Sequence, residues 1–143
     1  MPAHITHRLH QGELDRLLKS PNGAVAKDLL RRGLRVESQA KRNLGGVDGP
    51  KRVDTGRLRA SITTQLVTIR GWPAVRVGTN VSYAVYVHEG TGIYGPRGVP
   101  IRPVRARMLR FVPRGQTKPV YARQVRGMVP NRFLKNALHA ARG

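Results

Sequence analysis

Side chains suited to catalysis are few in this chain, and they are scattered. The seven acidic residues stand singly, and none repeats at the D-x-D or H-E-x-x-H spacing that gathers ligands or a base at one site. His88 and Glu89 are adjacent, and such a pair can transfer protons near neutral pH while a basic surface holds a phosphate substrate. Neighbouring residues of a helix point about 100° apart, so we expect the two not to share a target. The sequence therefore predicts no enzyme and no cofactor, with an RNase-like use of His88 as an alternative.

Histidines also recur at the N-terminus, where His4, His7 and His10 have the spacing i, i+3, i+6. This spacing permits a stray metal ion, but we favour a flexible or partner-bound arm over residues 1–11 and predict no metal site. The lack of cysteine excludes disulfides, thiol catalysis and cysteine-ligated zinc. The sequence has neither a secretory pattern nor an apolar stretch near the roughly 18 residues of a membrane span. We therefore expect a protein made in a cytoplasm, without a membrane partner.

Charge is the strongest signal in the composition. Lys and Arg total 27 against 7 Asp and Glu, a formal net charge of +20. The last acidic residue is Glu89, and residues 90–143 hold twelve Lys and Arg without any acid. Crowded like charges repel unless they spread over a surface or face an anion, so we expect a nucleic acid or an acidic neighbouring subunit as partner. Arginine greatly outnumbers lysine, which favours a contact surface; GC-rich codon usage is the alternative explanation.

The length of 143 residues fits one domain, whose core must rest on Leu, Val, Ile and Ala because aromatic residues make up only 5%. Two helices are predicted within residues 12–44, broken at residues 20–23 by Pro and Gly. The second helix has an apolar stripe: Val25, Leu29, Gly33, Val36, Ala40 and Leu44. Its opposite row is largely basic: Lys27, Arg31, Arg35, Ser38 and Arg42. We expect this row to face solvent, with an anionic surface as the alternative.

The rest of the chain alternates short elements with turns. The predicted elements are a helical turn after Asp54, strands at 62–70 and 74–79 around a hairpin turn at 70–73, a short helix at 83–89, a long loop at 90–103, strands at 108–112 and 120–129, and a helix from 133 to 141. A third strand is the alternative to the helix at 83–89. The predicted fold class is α+β. A small antiparallel sheet is packed by a long N-terminal helix and a short C-terminal helix.

Three segments carry a resemblance when they are taken in order. They read Val53-Asp54-Thr55-Gly56-Arg57-Leu58-Arg59-Ala60-Ser61-Ile62, then Val77-Gly78-Thr79-Asn80-Val81-Ser82-Tyr83-Ala84-Val85-Tyr86-Val87-His88-Glu89-Gly90-Thr91, then Pro130-Asn131-Arg132-Phe133-Leu134-Lys135-Asn136-Ala137-Leu138. Together they resemble the tail-completion, or head–tail joining, proteins in the neck of long-tailed bacteriophages. That family usually has its acid directly after the valine, where this chain has His88 before Glu89. Asn131 and Arg132 also intervene between Pro130 and Phe133.

The resemblance implies a virion structural protein without enzymatic activity, assembled in the host cytoplasm and located at the head–tail junction. Its relatives form rings, which leads us to expect a homo-oligomer with six-fold symmetry. The neighbouring proteins would be the head connector and a tail-terminator or tail-tube protein, and DNA would pass through the lumen. The matched residues are Thr55, Gly56, Leu58, Gly78, Thr79, Tyr83, Ala84, Glu89, Gly90, Phe133 and Leu134.

Physical roles follow for several matched positions. Gly56 and Gly78 are expected to serve unusual dihedral angles or close backbone approach. The expected core residues are Leu58, Ile62, Tyr83, Val87, Phe133 and Leu134. The candidate contacts to DNA or a neighbouring virion protein are Arg57, Arg59, Arg102, Arg105, Arg107 and Arg110, with plain solvation as an equal alternative. The alternative function is a small basic protein that binds nucleic acid non-specifically, since the charge supports it while no phosphate loop, RNP pattern or zinc finger is present.

Overall fold

The computed structural model describes residues 8–142, so His4, His7 and most of the expected N-terminal arm lie outside it. Its elements are α1 (Gln11–Lys19), α2 (Ala24–Leu44), α3 (Arg57–Ser61), β1 (Thr63–Ile69), β2 (Trp72–Gly78), α4 (Ala84–Glu89), a 3-10 turn (Gly92–Tyr94), β3 (Leu109–Phe111), β4 (Val120–Ala122) and α5 (Phe133–Ala140). The predicted α+β class, with a long N-terminal helix and a short C-terminal helix, is confirmed. None of the helices in this part of the chain has the length and apolar character needed to cross a membrane.

The long helix α2 forms the base on which the other elements pack. Its apolar stripe is buried at Gly33, Val36, Ala40 and Leu44, while the basic row on the opposite side is exposed as predicted. Beside that row, Arg32 bonds Asp28 at 2.8 Å one turn away, which offsets part of the repulsion among the cations of α2. The β1–β2 hairpin and α5 both pack against α2.

The β1–β2 hairpin consists of two strands of seven residues each, joined by a two-residue turn. Thr63 pairs with Gly78 at the open end, and the strands stay in register up to the turn. Arg70 and Gly71 form the turn with φ of 52° and 81°, the left-handed angles that match the twist of a hairpin. The predicted turn at 70–73 was therefore two residues too long. β3 and β4 form a second, separate antiparallel pair.

Polar contacts fix the hairpin on α2. The Thr64 hydroxyl donates to the Glu37 carboxylate at 2.6 Å, and its oxygen also lies 3.3 Å from the Gly33 carbonyl. Lys41 bonds the other Glu37 oxygen at 2.6 Å. These hydrogen bonds, the one from Lys41 first, hold the pKa of the Glu37 carboxyl below its ordinary value of 4.5 against the opposing effect of burial. Glu37 is therefore charged at neutral pH while it joins the helix to the hairpin.

A pair of buried asparagines, which the sequence analysis did not identify, joins the end of α2 to the start of α5. The Asn131 amide donates to the carbonyls of Asn43 at 3.1 Å and Pro50 at 2.8 Å. The Asn43 amide donates to the Phe133 carbonyl at 3.2 Å. Both asparagines are 1% exposed. Asn131, which interrupts the family pattern, thus closes the loop between α2 and α3.

Candidate functional site

The three segments that carry the family resemblance meet in one hydrophobic core. Leu58 comes from the first segment, Ala84 and Val87 from the second, and Phe133 from the third. All four are buried against the apolar face of α2. Ile62 is buried as expected, Leu134 is half-buried, and Tyr83 is 41% exposed. The expected core packing is therefore wrong for Tyr83, which precedes α4 and turns its ring toward solvent.

Matched threonines and glycines shape the turns between these segments. Thr79 accepts a hydrogen bond from the backbone of Val81 at 3.1 Å, and its hydroxyl lies 2.5 Å from that of Ser61. Gly56 has φ of 79°, as expected for a turn glycine. Gly78 is outside the positive-φ region, and a Cβ there would meet no atom within 4 Å. The expectation of a special conformation is therefore wrong for Gly78.

Two further matched positions make single local contacts. The Thr55 hydroxyl accepts a hydrogen bond from the backbone N–H of Arg57 at 3.4 Å. Gly90 has φ of 80°, and a Cβ at this position would lie 2.8 Å from the Met128 carbonyl. Close backbone approach thus accounts for Gly90.

His88 and Glu89 bond each other, although the sequence indicated that they would point apart. The His88 Nδ1 and Glu89 Oε1 atoms lie 2.7 Å apart. This bond is the main reason that the pKa of the Glu89 carboxyl lies below its ordinary value. The His88 ring also meets the Phe133 ring edge-on, with centroids 5.4 Å apart. The bond to Glu89 and the contact with Phe133 thus hold the His88 ring against the core. Residues 8–142 contain no cluster of metal-binding side chains.

A long ribbon follows α4, and we call residues 91–128 the basic ribbon. Its two sides run antiparallel from the body to the tip. Thr91 donates to the Met128 carbonyl at 2.9 Å, and Ile93 to the Arg126 carbonyl at 2.8 Å. Ile101 and Val125 exchange a second pair of bonds, and β3 and β4 continue the pairing. Residues 90–103, expected to form a long loop, contain the 3-10 turn and supply one side of this ribbon.

Glycines allow the two sides of the ribbon to cross closely at its base. Gly92 and Gly127 have φ of 65° and 98°, a region that other residues rarely adopt. A Cβ on Gly92 would lie 2.8 Å from the Gly127 Cα, and one on Gly127 would lie 2.7 Å from the Gly92 Cα. The base of the ribbon is thus set by backbone contact.

The basic ribbon collects most of the charge that follows Glu89. Its cations are Arg97, Arg102, Arg105, Arg107, Arg110, Arg114, Lys118, Arg123 and Arg126, all of them exposed. It contains no acid. Arg114 bonds Asp54 at 3.2 Å, and both side chains are at least three-quarters exposed. The other eight cations of the ribbon have no acidic partner among the described residues, so the ribbon keeps most of its positive charge.

The ribbon also presents apolar side chains to solvent. Its exposed apolar residues are Ile93, Tyr94, Val99, Ile101, Val104, Met108, Phe111, Val112, Val120 and Tyr121. No residue of the ribbon is fully buried. A two-stranded ribbon is marginally stable in water by itself, and aromatic, Met and Arg side chains are enriched at protein interfaces. Exposed apolar, aromatic and arginine side chains of this kind are typical of protein interfaces.

The structure separates the candidate arginines into two groups. Arg102, Arg105, Arg107 and Arg110 lie on the basic ribbon, whereas Arg57 and Arg59 are exposed on α3. The tip of the ribbon reaches back toward α3, since Arg114 of the tip contacts Asp54. The sequence could locate the charge but not the ribbon, because its two sides pair across long stretches of chain.

Comparison of the chain with protein-family models, curated proteins and solved structures finds no match. Function is therefore inferred from the residues and their geometry. The basic ribbon has the charge and apolar exposure of a binding surface, while the His88–Glu89 bond serves packing.

Proposed function

We propose that this protein is a structural component of the phage neck. Copies of the chain form a ring, six-fold by analogy with the family it resembles, that joins the head connector to the tail and lets DNA pass. The observation that supports this most is the meeting of the three resembling segments in one core around Phe133. If the three segments belong to one family pattern, they are expected to pack together and define a common fold, as they do around Phe133.

The basic ribbon supports the assembly step of this proposal. It leaves apolar side chains such as Phe111 and Tyr121 in water, and burial of such side chains drives association. A ring requires a heterologous interface in which one surface of a subunit meets a different surface of the next. We propose that the ribbon is one side of that interface.

The charge supports an anionic environment for the ring. Nine cations without an acid on one ribbon repel one another, so an acidic neighbour or DNA phosphates would lower the electrostatic energy. Acidic patches of the head connector and tail-terminator or tail-tube proteins, and DNA in the lumen, are the partners that fit this requirement.

Antibody labelling of purified virions tests whether the protein lies at the head–tail junction. An antibody against the chain, imaged on negatively stained particles, is expected to mark the head–tail junction. Particles that lack the chain at the junction would contradict the proposal, whatever the oligomeric state of the isolated protein.

A matched pair of variants tests the role of the ribbon. Tyr121 on β4 and Tyr86 on α4 are both 59% exposed, so replacing either with serine leaves the core intact. Tyr121→Ser is expected to lower the fraction of assembled rings, measured by light scattering after size exclusion or by counting rings on connectors, while Tyr86→Ser is not. If the two substitutions lowered the fraction of rings equally, the proposal that the ribbon forms the interface would be contradicted.

A second function, non-specific binding of nucleic acid, is favoured by the same exposed cations. If it operates, the logarithm of the binding constant for duplex DNA falls with the logarithm of salt concentration by roughly 0.9 per phosphate contacted. Such binding in cells without any assembled particle would favour this function over the neck protein.

A further inference from the structure

An open apolar groove lies between β2 and α5, above α2. Its volume is about 1110 Å³. Apolar side chains from the helices and the hairpin form its walls: Leu29, Val36, Val77, Val85, Leu134 and Leu138. Val85 is 56% exposed and Leu138 is 49% exposed, so both present apolar surface to solvent at the groove. The groove is separate from the basic ribbon, none of whose residues lines it.

A small polar depression that is rich in arginine adjoins the groove. The depression is lined by Asp28, Arg31, Arg32, Arg35, Ala141 and Arg142. Arg32, Ala141 and Arg142 line the groove as well, so the two spaces are adjacent. Asp28, the one acid of the depression, is bonded to Arg32 at 2.8 Å. The apolar groove is therefore bordered by a cluster of four arginines with one acid, which we call the arginine end.

We infer that this groove binds an acidic amphipathic segment of a different protein. The apolar side chains of the segment would fill the groove, as helices do in apolar grooves of other proteins, and its carboxylates would meet Arg31, Arg35 and Arg142. Charge complementarity selects this occupant, since carboxylates pair with arginine in bidentate geometry. A nucleic acid fits less well, because its phosphates cannot be buried against apolar walls without a large desolvation cost.

A second copy of this chain is a poor source of the carboxylates. Five of its seven acids are already bonded within the chain. Four of them pair with a cation: Asp15 with Lys19, Asp28 with Arg32, Glu37 with Lys41, and Asp54 with Arg114. Glu89 is bonded to His88. Each copy also carries a formal charge of +20. The occupant is therefore a partner of opposite charge, and this inference does not depend on the proposed ring.

Selection from a displayed library of random peptides, each about four helical turns long, tests the inference on the full chain. The enriched sequences are expected to combine apolar residues at spacings of three and four with several Asp or Glu. Binding of the best peptide is then measured by fluorescence anisotropy. Enrichment of peptides without acids, or no enrichment at all, would overturn the inference.

Two matched pairs of variants locate the bound peptide. Val85→Asp places a charge in the groove and is expected to weaken binding by more than roughly tenfold. Val47→Asp makes the same change at a 69% exposed loop position outside the groove and is expected to have no effect. Thermal unfolding of each variant establishes that it remains folded.

The second pair tests the arginine end. The double substitution of Arg31 and Arg35 by serine is expected to weaken binding by roughly three- to thirtyfold, since two exposed ion pairs are lost. The same double substitution at Arg57 and Arg59, which lie outside the groove, changes net charge equally and is expected to have little effect. The inference would be overturned if both double variants lost the same fraction of peptide affinity, or if Val85→Asp bound the peptide as tightly as the parent. Either result would mean that the peptide responds to net charge alone.

Discussion

Replacement of Gly33 by alanine tests the close packing of the β1–β2 hairpin on α2. Gly33 is buried in the middle of α2. A Cβ at this position would lie 2.7 Å from Thr64 Cγ2 and closer still to Val75 Cγ1. Both neighbours are β-branched and sit on paired strands, so neither side chain can rotate away without strain.

Two opposing effects set the magnitude. Alanine favours the helix over glycine by about 1 kcal/mol, whereas overpacking a core costs about 1–3 kcal/mol. Because the new methyl group meets two stiff side chains at once, we place the cost in the upper half of that range. Gly33→Ala is therefore expected to lower the free energy of unfolding by about 1–2 kcal/mol, a fall of roughly 3–8 °C in Tm.

Urea unfolding followed by circular dichroism measures this change. Gly12→Ala is the control, because Gly12 lies in α1 and a Cβ there would meet no atom within 4 Å; it is expected to be neutral or stabilising. Val75→Ala, which removes the closer neighbour, is expected to reduce the cost of Gly33→Ala when the two are combined. A Gly33→Ala variant as stable as the parent, or a cost unchanged by Val75→Ala, would refute the described packing of hairpin on helix.

Three further substitutions test other contacts, each by urea unfolding. Asn131→Ala is expected to lower the free energy of unfolding by about 2–4 kcal/mol, because two carbonyl oxygens lose their buried donor. The control is Asn80→Ala at an exposed position, which is expected to change the free energy of unfolding by less than about 0.5 kcal/mol. Gly56→Ala is expected to cost about 1–2 kcal/mol because φ is 79°, whereas Gly78→Ala is expected to be nearly neutral. Because folding lowers the pKa of the Glu37 carboxyl, its hydrogen bonds contribute their full stability above the unfolded pKa, near 4.5. This contribution is lost as the pH falls through the folded pKa. Glu37→Gln is therefore expected to reduce stability at neutral pH and to make stability depend less on pH in the acid range.

Each of these expectations has a contrary result. An Asn131→Ala variant no less stable than Asn80→Ala would mean that the buried amide bonds contribute nothing net. Equal losses for Gly56→Ala and Gly78→Ala would contradict the backbone argument. An unchanged slope of stability against pH in Glu37→Gln would assign the acid dependence to other carboxyl groups.

Elements that depend on neighbours in sequence could be predicted from the sequence. The apolar stripe and basic row of α2 follow from a periodicity of three and four residues, and the helix buries and exposes the sides that this spacing indicates. The β1–β2 hairpin follows from a stretch rich in Thr, Val and Ile before Gly71 and from the alternation Val75-Arg76-Val77 after it. Its turn proved shorter than expected. The second strand pair was located correctly, but β4 spans only Val120–Ala122 of the predicted 120–129.

Contacts between distant residues could not be predicted in the same way. Asn43 and Asn131 bond across 88 residues, and no local pattern distinguishes a buried asparagine from one in a turn. Tyr83 was expected in the core by its place in the segment, yet the start of α4 directs it to solvent.

The sequence by itself determined the fold class, the helical faces and the concentration of positive charge after Glu89, because periodicity and composition are local properties of the chain. Only the tertiary structure decided that these charges lie along a ribbon and that an apolar groove lies beside a depression lined by Arg31 and Arg35. Such surfaces arise from the relative placement of packed elements, which depends on contacts that many separate residues make together.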